Sequence, residues 1–248
     1  MKKVKIAMID IDGTVTYPNG KVTNIFSALS NYLGFYEEHR KYFEKVSEKI
    51  KKDPYINLPK EYLFSNIFFG SKLKEYNLTK ELFDKISEKV EVRKGLKESY
   101  EYLKKNGYKV FVVSDSVRNY VSRIEEKYGK FYDKAFVKFL FVFDENGNFI
   151  EMKETFGGKT KDKVIKNYLQ RHYPAYEYDI YAVYIGDSLI DLRFTKWVNK
   201  LYLIRDYEFS LPLGHVSKPI EIIENPKDFR EIVYLIPKDE KLLQSIST

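Results

Sequence analysis

Two aspartates separated by one residue, Asp10-Ile11-Asp12, follow the apolar run VKIAMI and precede Gly13-Thr14. In an extended chain, residues two apart point to the same side, with α-carbons roughly 7 Å apart. Two further acids, Asp187 and Asp191, stand in GDSLID at the end of a second apolar run, IYAVYI. Carboxylates gathered that closely repel one another unless a cation sits among them, and hard oxygen donors favour Mg²⁺. A carboxylate can also act as a nucleophile that takes up a phosphoryl group, and an adjacent carboxylic acid can protonate a leaving group and then deprotonate a water. Ser114 and Asp115 end a third apolar run, YKVFVVSDS, while KTKDKVI supplies Lys161 between Lys159 and Lys163. A hydroxyl and an ammonium are suited to holding the non-bridging oxygens of a phosphoryl group.

Elements that could bring these residues together are legible in the same sequence. Val4 to Asp10, Tyr108 to Ser114, Ile180 to Ser188 and Lys200 to Ile204 read as buried strands, short and apolar with polar turns behind them. FLFVFDENGNFIEM reads as a hairpin turning at Asp144 to Asn148. Helical spacing marks Leu96 to Leu103, Val117 to Tyr128, Lys161 to His172 and a last segment near Lys227 to Ile236, with Gly107 placed as a C-terminal cap glycine. Strands alternating with helices predict a parallel sheet covered on both faces, and ligands of such sheets gather at the carboxyl ends of the strands. All the candidate residues fall at those ends. From Lys21 to Val90 the pattern is helical, broken at Asp53-Pro54, reopened at Pro59 and again behind an N-cap at Thr79. The expected architecture is therefore α/β: a Rossmann-like core of residues 1–18 and 91–248 with an all-helical cap domain of residues 19–90 inserted.

Composition narrows the classes. Of 248 residues, 44% are hydrophobic and 32% charged, which excludes a disordered chain. No apolar run approaches the roughly 18 residues of a membrane span. Asp10 and Asp12 cut short the apolar N-terminal run, so the cytoplasm is the expected location. With no cysteine, thiolate chemistry is excluded, and three scattered histidines (His39, His172, His215) leave little room for a histidine-rich metal site. The net charge of +7 favours anionic partners in general, but lysine is spread along the chain and no nucleic-acid motif occurs. GKT at Gly158 to Thr160 echoes a Walker A ending, yet Lys153 stands where that motif needs glycine.

DIDGT, VVSDS, a helix-opening lysine in KTKDKVI, and GDSLID, in that order, resemble the four motifs of the haloacid dehalogenase superfamily. The position of the helical insertion and the lead-in GLKESYEYLKKNGYKVFVVS resemble its phosphoserine phosphatase-type branch. The resemblance implies Asp10 as nucleophile and Asp12 as general acid and base with its carbonyl on Mg²⁺. It implies Asp187 as the third protein ligand, supported by Asp191. Ser114 and the Asp115 amide would bind the phosphoryl group, and so would Lys161, which precedes Ile165 by the family's four residues. The implied activity is a Mg²⁺-dependent phosphatase acting on a small phosphorylated metabolite. A phosphomutase, a nucleic-acid end-phosphatase or a non-catalytic binding protein are the alternatives on the same scaffold. The branch's phosphoserine-recognising cap glutamate has Asn19 in its place, and the cap's sole arginine, Arg40, lacks the family's surroundings. The sequence leaves the substrate and the oligomeric state open.

Overall fold

The computed structural model describes residues 1–56, 60–206, 219–238 and 240. Among the described residues, the central sheet has seven strands in the order β6-β5-β4-β1-β7-β8-β9. These are β1 (Lys2–Ile9), β4 (Tyr108–Val117), β5 (Lys134–Phe143), β6 (Phe149–Glu154), β7 (Tyr178–Gly186), β8 (Lys200–Arg205) and β9 (Ile220–Glu224). All neighbours pair in parallel except the β5–β6 hairpin. Residues alternate between two cores, as a sheet covered on both faces requires. Ala7 and Ile9 of β1 join Val110, Val112, Val183 and Ile185 beneath α5 (Leu96–Lys105), α6 (Arg118–Tyr128) and α8 (Arg230–Val233). Ile6 and Met8 join Val113, Ala182 and Tyr184 beneath α7 (Lys161–His172) and a 3₁₀ helix (Leu189–Lys196). The chain runs from β1 outward to one edge, then returns to β7 on the other side of β1. That reversal is the switch point where open sheets bind ligands.

Among its described residues the insertion holds four helices: α1 (Ile25–Leu33), α2 (Tyr36–Lys52), α3 (Lys60–Glu75) and α4 (Lys80–Ser87). Asn24 caps α1 through a reciprocal capping box with Ser27, Thr79 caps α4, and α2 ends at Asp53 as its Asp-Pro break predicts. The expected opening at Pro59 lies outside the described residues. The insertion is tethered by a ribbon that periodicity does not reveal, β2 (Thr16–Tyr17) against β3 (Glu91–Val92), two residues each. β9 is also absent from the sequence reading, because IEIIE carries Glu221 and Glu224 among its isoleucines and reads as polar.

The helices do not form a separate core. Phe26 of α1 packs edge-on against Phe139 of β5, and Phe83 of α4 against Phe141. The Lys80 and Phe149 amides bond across to Gly147 and Leu78 carbonyls. The segment Pro54 to Ile56 after α2 is tied down as well. Buried Arg193 of the 3₁₀ helix donates to the Pro54 carbonyl at 2.8 Å and to the Ile56 carbonyl, and Lys196 lies 4.0 Å over the Tyr55 ring. Hydrogen bonds from a charged donor contribute about 2 kcal/mol. Arg193→Met should therefore lower the thermal midpoint by roughly 4–8 °C; an unchanged melt would show that this segment is held by other contacts.

His39 of α2 is buried among the rings of Phe35, Phe43 and Phe69 at 6.4, 5.1 and 4.7 Å. Burial pushes its pKa down from 6.5 to about 4. The unfolded chain takes up this proton near 6.5 while the folded protein resists until about 4. The stability this site contributes is therefore complete above the first value and lost as pH falls through the second, about 3 kcal/mol in all. In denaturant titrations, wild type should lose that amount relative to His39→Leu between neutral pH and pH 4. Parallel pH profiles would contradict it.

Candidate active site

Asp10 follows β1 directly, and its Oδ1 accepts from the Ile11 amide at 2.7 Å. Its Oδ2 meets Lys161 Nζ at 2.5 Å, and the same ammonium lies 2.7 Å from Asp191 Oδ1. Lys161 opens α7, is 3% exposed and lines the cavity, while its neighbours Lys159 and Lys163 remain outside the lining. Asp191 has no solvent exposure, and its Oδ2 accepts from the Asp187 and Ser188 amides at 3.1 and 3.0 Å and from the Ser188 hydroxyl at 2.9 Å. Both of its oxygens are thus committed, which places it behind the site as the brace of the Gly186-Asp187-Ser188 turn. Gly186 must be small for this brace, because a Cβ there would come within 2.4 Å of Asp191 Oδ2. Gly13 has φ +78, and a Cβ on it would lie 2.1 Å from Asp187 Oδ2, so only glycine lets the two loops approach.

The loop holding Gly13 is fixed by Arg93, which sequence reasoning passed over. Almost fully buried, its guanidinium donates to the Thr14 carbonyl at 2.8 Å, to the Gly13 carbonyl at 3.2 Å, and to Pro226 and Asp206. One side chain thereby joins the loop after Asp12, the second tether and the end of the sheet. Ser114 lies inside β4, which continues to Val117 through a register shift between the two residues. The bulge re-aims the strand end, and the Ser116 amide donates to Ser114 Oγ at 3.2 Å.

The electrostatics follow from burying acids together. Burial raises the Asp10 carboxyl to about 6, opposed chiefly by Lys161, with Asp191 adding to the rise. Burial and then the Asp10 charge raise Asp12 to about 7. Burial and the neighbouring acids Asp191 and Asp10 push Asp187 well up. Lys161 is pushed well above its usual range: burial would lower it, but Asp10 and Asp191 outweigh that. Carboxylate oxygens of Asp10, Asp187 and Asp191 lie within 4.8 Å of one another. An all-oxygen set of that kind is compatible with Mg²⁺. Asp12 Oδ1 is buried without a hydrogen-bond partner among the described residues.

These residues floor a cavity of about 270 Å³. Asp10, Asp12, Ser114, Asp115, Lys161 and Asp187 all line it, so six of the seven residues chosen from sequence converge on one space, and the seventh, Asp191, lies behind it. The opposite wall comes from the inserted helices: Asn24 and Phe26, then His39 and Phe43, then Tyr62, Asn66 and Phe69. None of these carries a sequence signal for function, since each is an ordinary member of an amphipathic pattern. Of the phenylalanines of α3, Phe64 is exposed, while Phe69 is buried in the core and also lines the cavity. Lys138 of β5 was also missed. It is buried 3.7 Å from Asp115 Oδ1 and 4.3 Å over the Tyr62 ring, and its signal was a lone lysine in the apolar run AFVKFLFVF. Asn19 donates to Glu91 on the tether, and Arg40 pairs with Glu37 and Glu44 in solvent, so neither reaches the cavity.

No curated protein matches the chain in sequence. Solved structures do match in fold. A phospho-aspartyl intermediate analogue of phosphoserine phosphatase has TM-score 0.66 at 22% identity, over 94% of this chain and 99% of that one. A phosphoserine phosphohydrolase-like protein from Francisella tularensis has TM-score 0.65 at 17% identity, over 94% and 100%. A cytosolic 5′-nucleotidase bound to cytidine has TM-score 0.61 at 17% identity, over 96% and 87%. The sequence pattern of haloacid dehalogenase-like hydrolases spans residues 7–196; the chain belongs to that family, and its fold is that of the phosphoserine phosphatase-like branch.

Proposed function

We propose that the protein is a Mg²⁺-dependent phosphatase that hydrolyses a small phosphomonoester through an aspartyl-phosphate on Asp10. The observation that carries this reading is the convergence of Asp10, Asp12, Asp187, Ser114 and Lys161 on one cavity roofed by helices. The fold shared with phosphoserine phosphatases and a 5′-nucleotidase supports it. In this reading residues 1–18 and 91–248 form the catalytic core and 19–90 the cap. Asp10, Asp187 and the Asp12 carbonyl would hold the metal, with Asp191 bracing them, and the ion would supply charge neutralisation at the nucleophile and the phosphoryl oxygens.

Ser114, the Asp115 amide and Lys161 hold the non-bridging oxygens. Asp10 attacks phosphorus; the bond to the leaving oxygen breaks, and protonated Asp12 gives that oxygen its proton. Asp12, now ionised, takes a proton from a water that attacks the same phosphorus. The Asp10–phosphorus bond breaks and inorganic phosphate leaves. Exclusion of bulk water by the helices strengthens each of these charge interactions. The proposed setting is the cytoplasm, where soluble phosphorylated metabolites reside; among the described residues no helix is long and apolar enough to cross a membrane.

Roofing also limits substrate size. At equal phosphate concentration, soluble phosphomonoesters and a nitrophenyl-type reporter should be hydrolysed at least ~100-fold faster than a phosphoprotein or duplex DNA ends, since positioning under a closed lid is worth factors of that order. Faster turnover of the macromolecules would overturn the lid and favour a protein or nucleic-acid phosphatase.

A further inference from the structure

Resting on the phosphatase reading above, we infer that the leaving group this site accepts is an uncharged aromatic or heteroaromatic ring carried on the phosphorylated alcohol. The charges that line the cavity all lie on its floor: Asp10, Asp12, Asp115, Asp187 and Lys161. Every described cap residue in the lining is neutral. Phe26, Phe43 and Tyr62 present ring surfaces, and Asn24, Asn66 and His39 present amide and imidazole edges. Burial keeps the His39 imidazole uncharged at neutral pH.

Two consequences follow from that division. A leaving group bearing an ammonium and a carboxylate, or a second phosphate, would lose its hydration against this wall without gaining a partner of opposite charge there. A planar neutral ring is accommodated instead, since aromatic walls gain from stacked and edge-on contacts, and amide edges satisfy the polar atoms of a heterocycle. Space agrees: about 270 Å³ takes a phosphorylated ring system and not an extended polymer. The same chemistry reaches the site from two sources, nucleoside 5′-monophosphates and simple aryl phosphates. A clear lead for the nucleotides would assign the amide and imidazole edges to base recognition, and equal rates would assign the selectivity to the rings.

The test compares kcat/KM, with Mg²⁺ present, for nucleoside 5′-monophosphates, nitrophenyl phosphate, phosphoserine, a hexose 6-phosphate and glycerol phosphate, each in wild type and in Phe43→Ala. Phe43 is 42% exposed, so its truncation leaves the fold intact. The aromatic esters should lead phosphoserine and the sugar esters by about tenfold or more, largely through KM. Phe43→Ala should shrink that ratio by about fivefold or more. Equal or better turnover of phosphoserine or a sugar phosphate would overturn the inference and leave the phosphatase reading standing. An aromatic lead that Phe43→Ala does not diminish would overturn the assignment to this wall. Phosphate release from none of the esters would overturn the phosphatase reading and the inference with it.

Discussion

Asp10→Asn is expected to reduce turnover by on the order of 10⁴-fold or more, because it removes the proposed nucleophile itself and not a group that assists one. The protein should remain folded. Asp10 stands at the sheet's carboxyl edge, outside both apolar cores, and asparagine keeps its volume. The substitution also removes one of the acids that raise each other's pKa in this cluster, offsetting part of the loss of the Lys161 contact at 2.5 Å. Far-ultraviolet circular dichroism and a thermal melt close to wild type, alongside absent phosphate release, are the expected pair of results. Turnover within tenfold of wild type would refute the role of Asp10.

Removal of divalent metal should have an effect of the same size. Asp10, Asp187 and Asp191 bring oxygens within 4.8 Å of one another, an arrangement that a lone Lys161 only partly neutralises. Chelation should stop phosphate release and added Mg²⁺ should restore it. Ca²⁺ should substitute poorly, because its longer bonds and looser shell would shift the nucleophile. A second readout needs no substrate. Mg²⁺ at about one hundred times its dissociation constant should stabilise the folded protein by about 2.7 kcal/mol, raising the thermal midpoint. Asp187→Asn should abolish that rise. Full activity after exhaustive chelation, or a melt indifferent to Mg²⁺, would contradict the metal assignment.

The core of this fold was legible because parallel strands buried on both faces must be apolar throughout and must end in polar turns. VKIAMID, YKVFVVS and IYAVYIGDS say both things at once, and α7 was delimited at Lys161 to His172 as observed. The floor of the site was legible for the same reason, since Asp10, Ser114 and Asp187 occupy strand ends that the topology gathers at the switch point. β9 escaped because an edge strand has one solvated side, and Glu221 and Glu224 hide it. The β2–β3 tether escaped because two residues per strand carry no period. The cap wall escaped for a different reason. Helical spacing fixes which residues share a face but not what that face meets, so His39, Phe43, Asn66 and Phe69 look alike until α2 and α3 are placed over the strand ends. Arg93 and Lys138 are the instructive omissions. Each is a buried cation whose partners are distant in sequence, Asp206 for the one and Asp115 for the other.

The most direct test of the account is the identity of the phosphorylated residue. Asp12→Asn should let the phosphoryl group reach Asp10 from a reporter with a good leaving group, while hydrolysis of the aspartyl-phosphate is slowed for lack of a base. Rapid acid quench during turnover, proteolysis and mass spectrometry would then locate the added group. The account predicts one phosphoryl group on the peptide that contains Asp10, lost when Asp10→Asn is added. A phosphoryl group on any other residue, or steady phosphate release by a variant in which Asp10 never becomes phosphorylated, would contradict it.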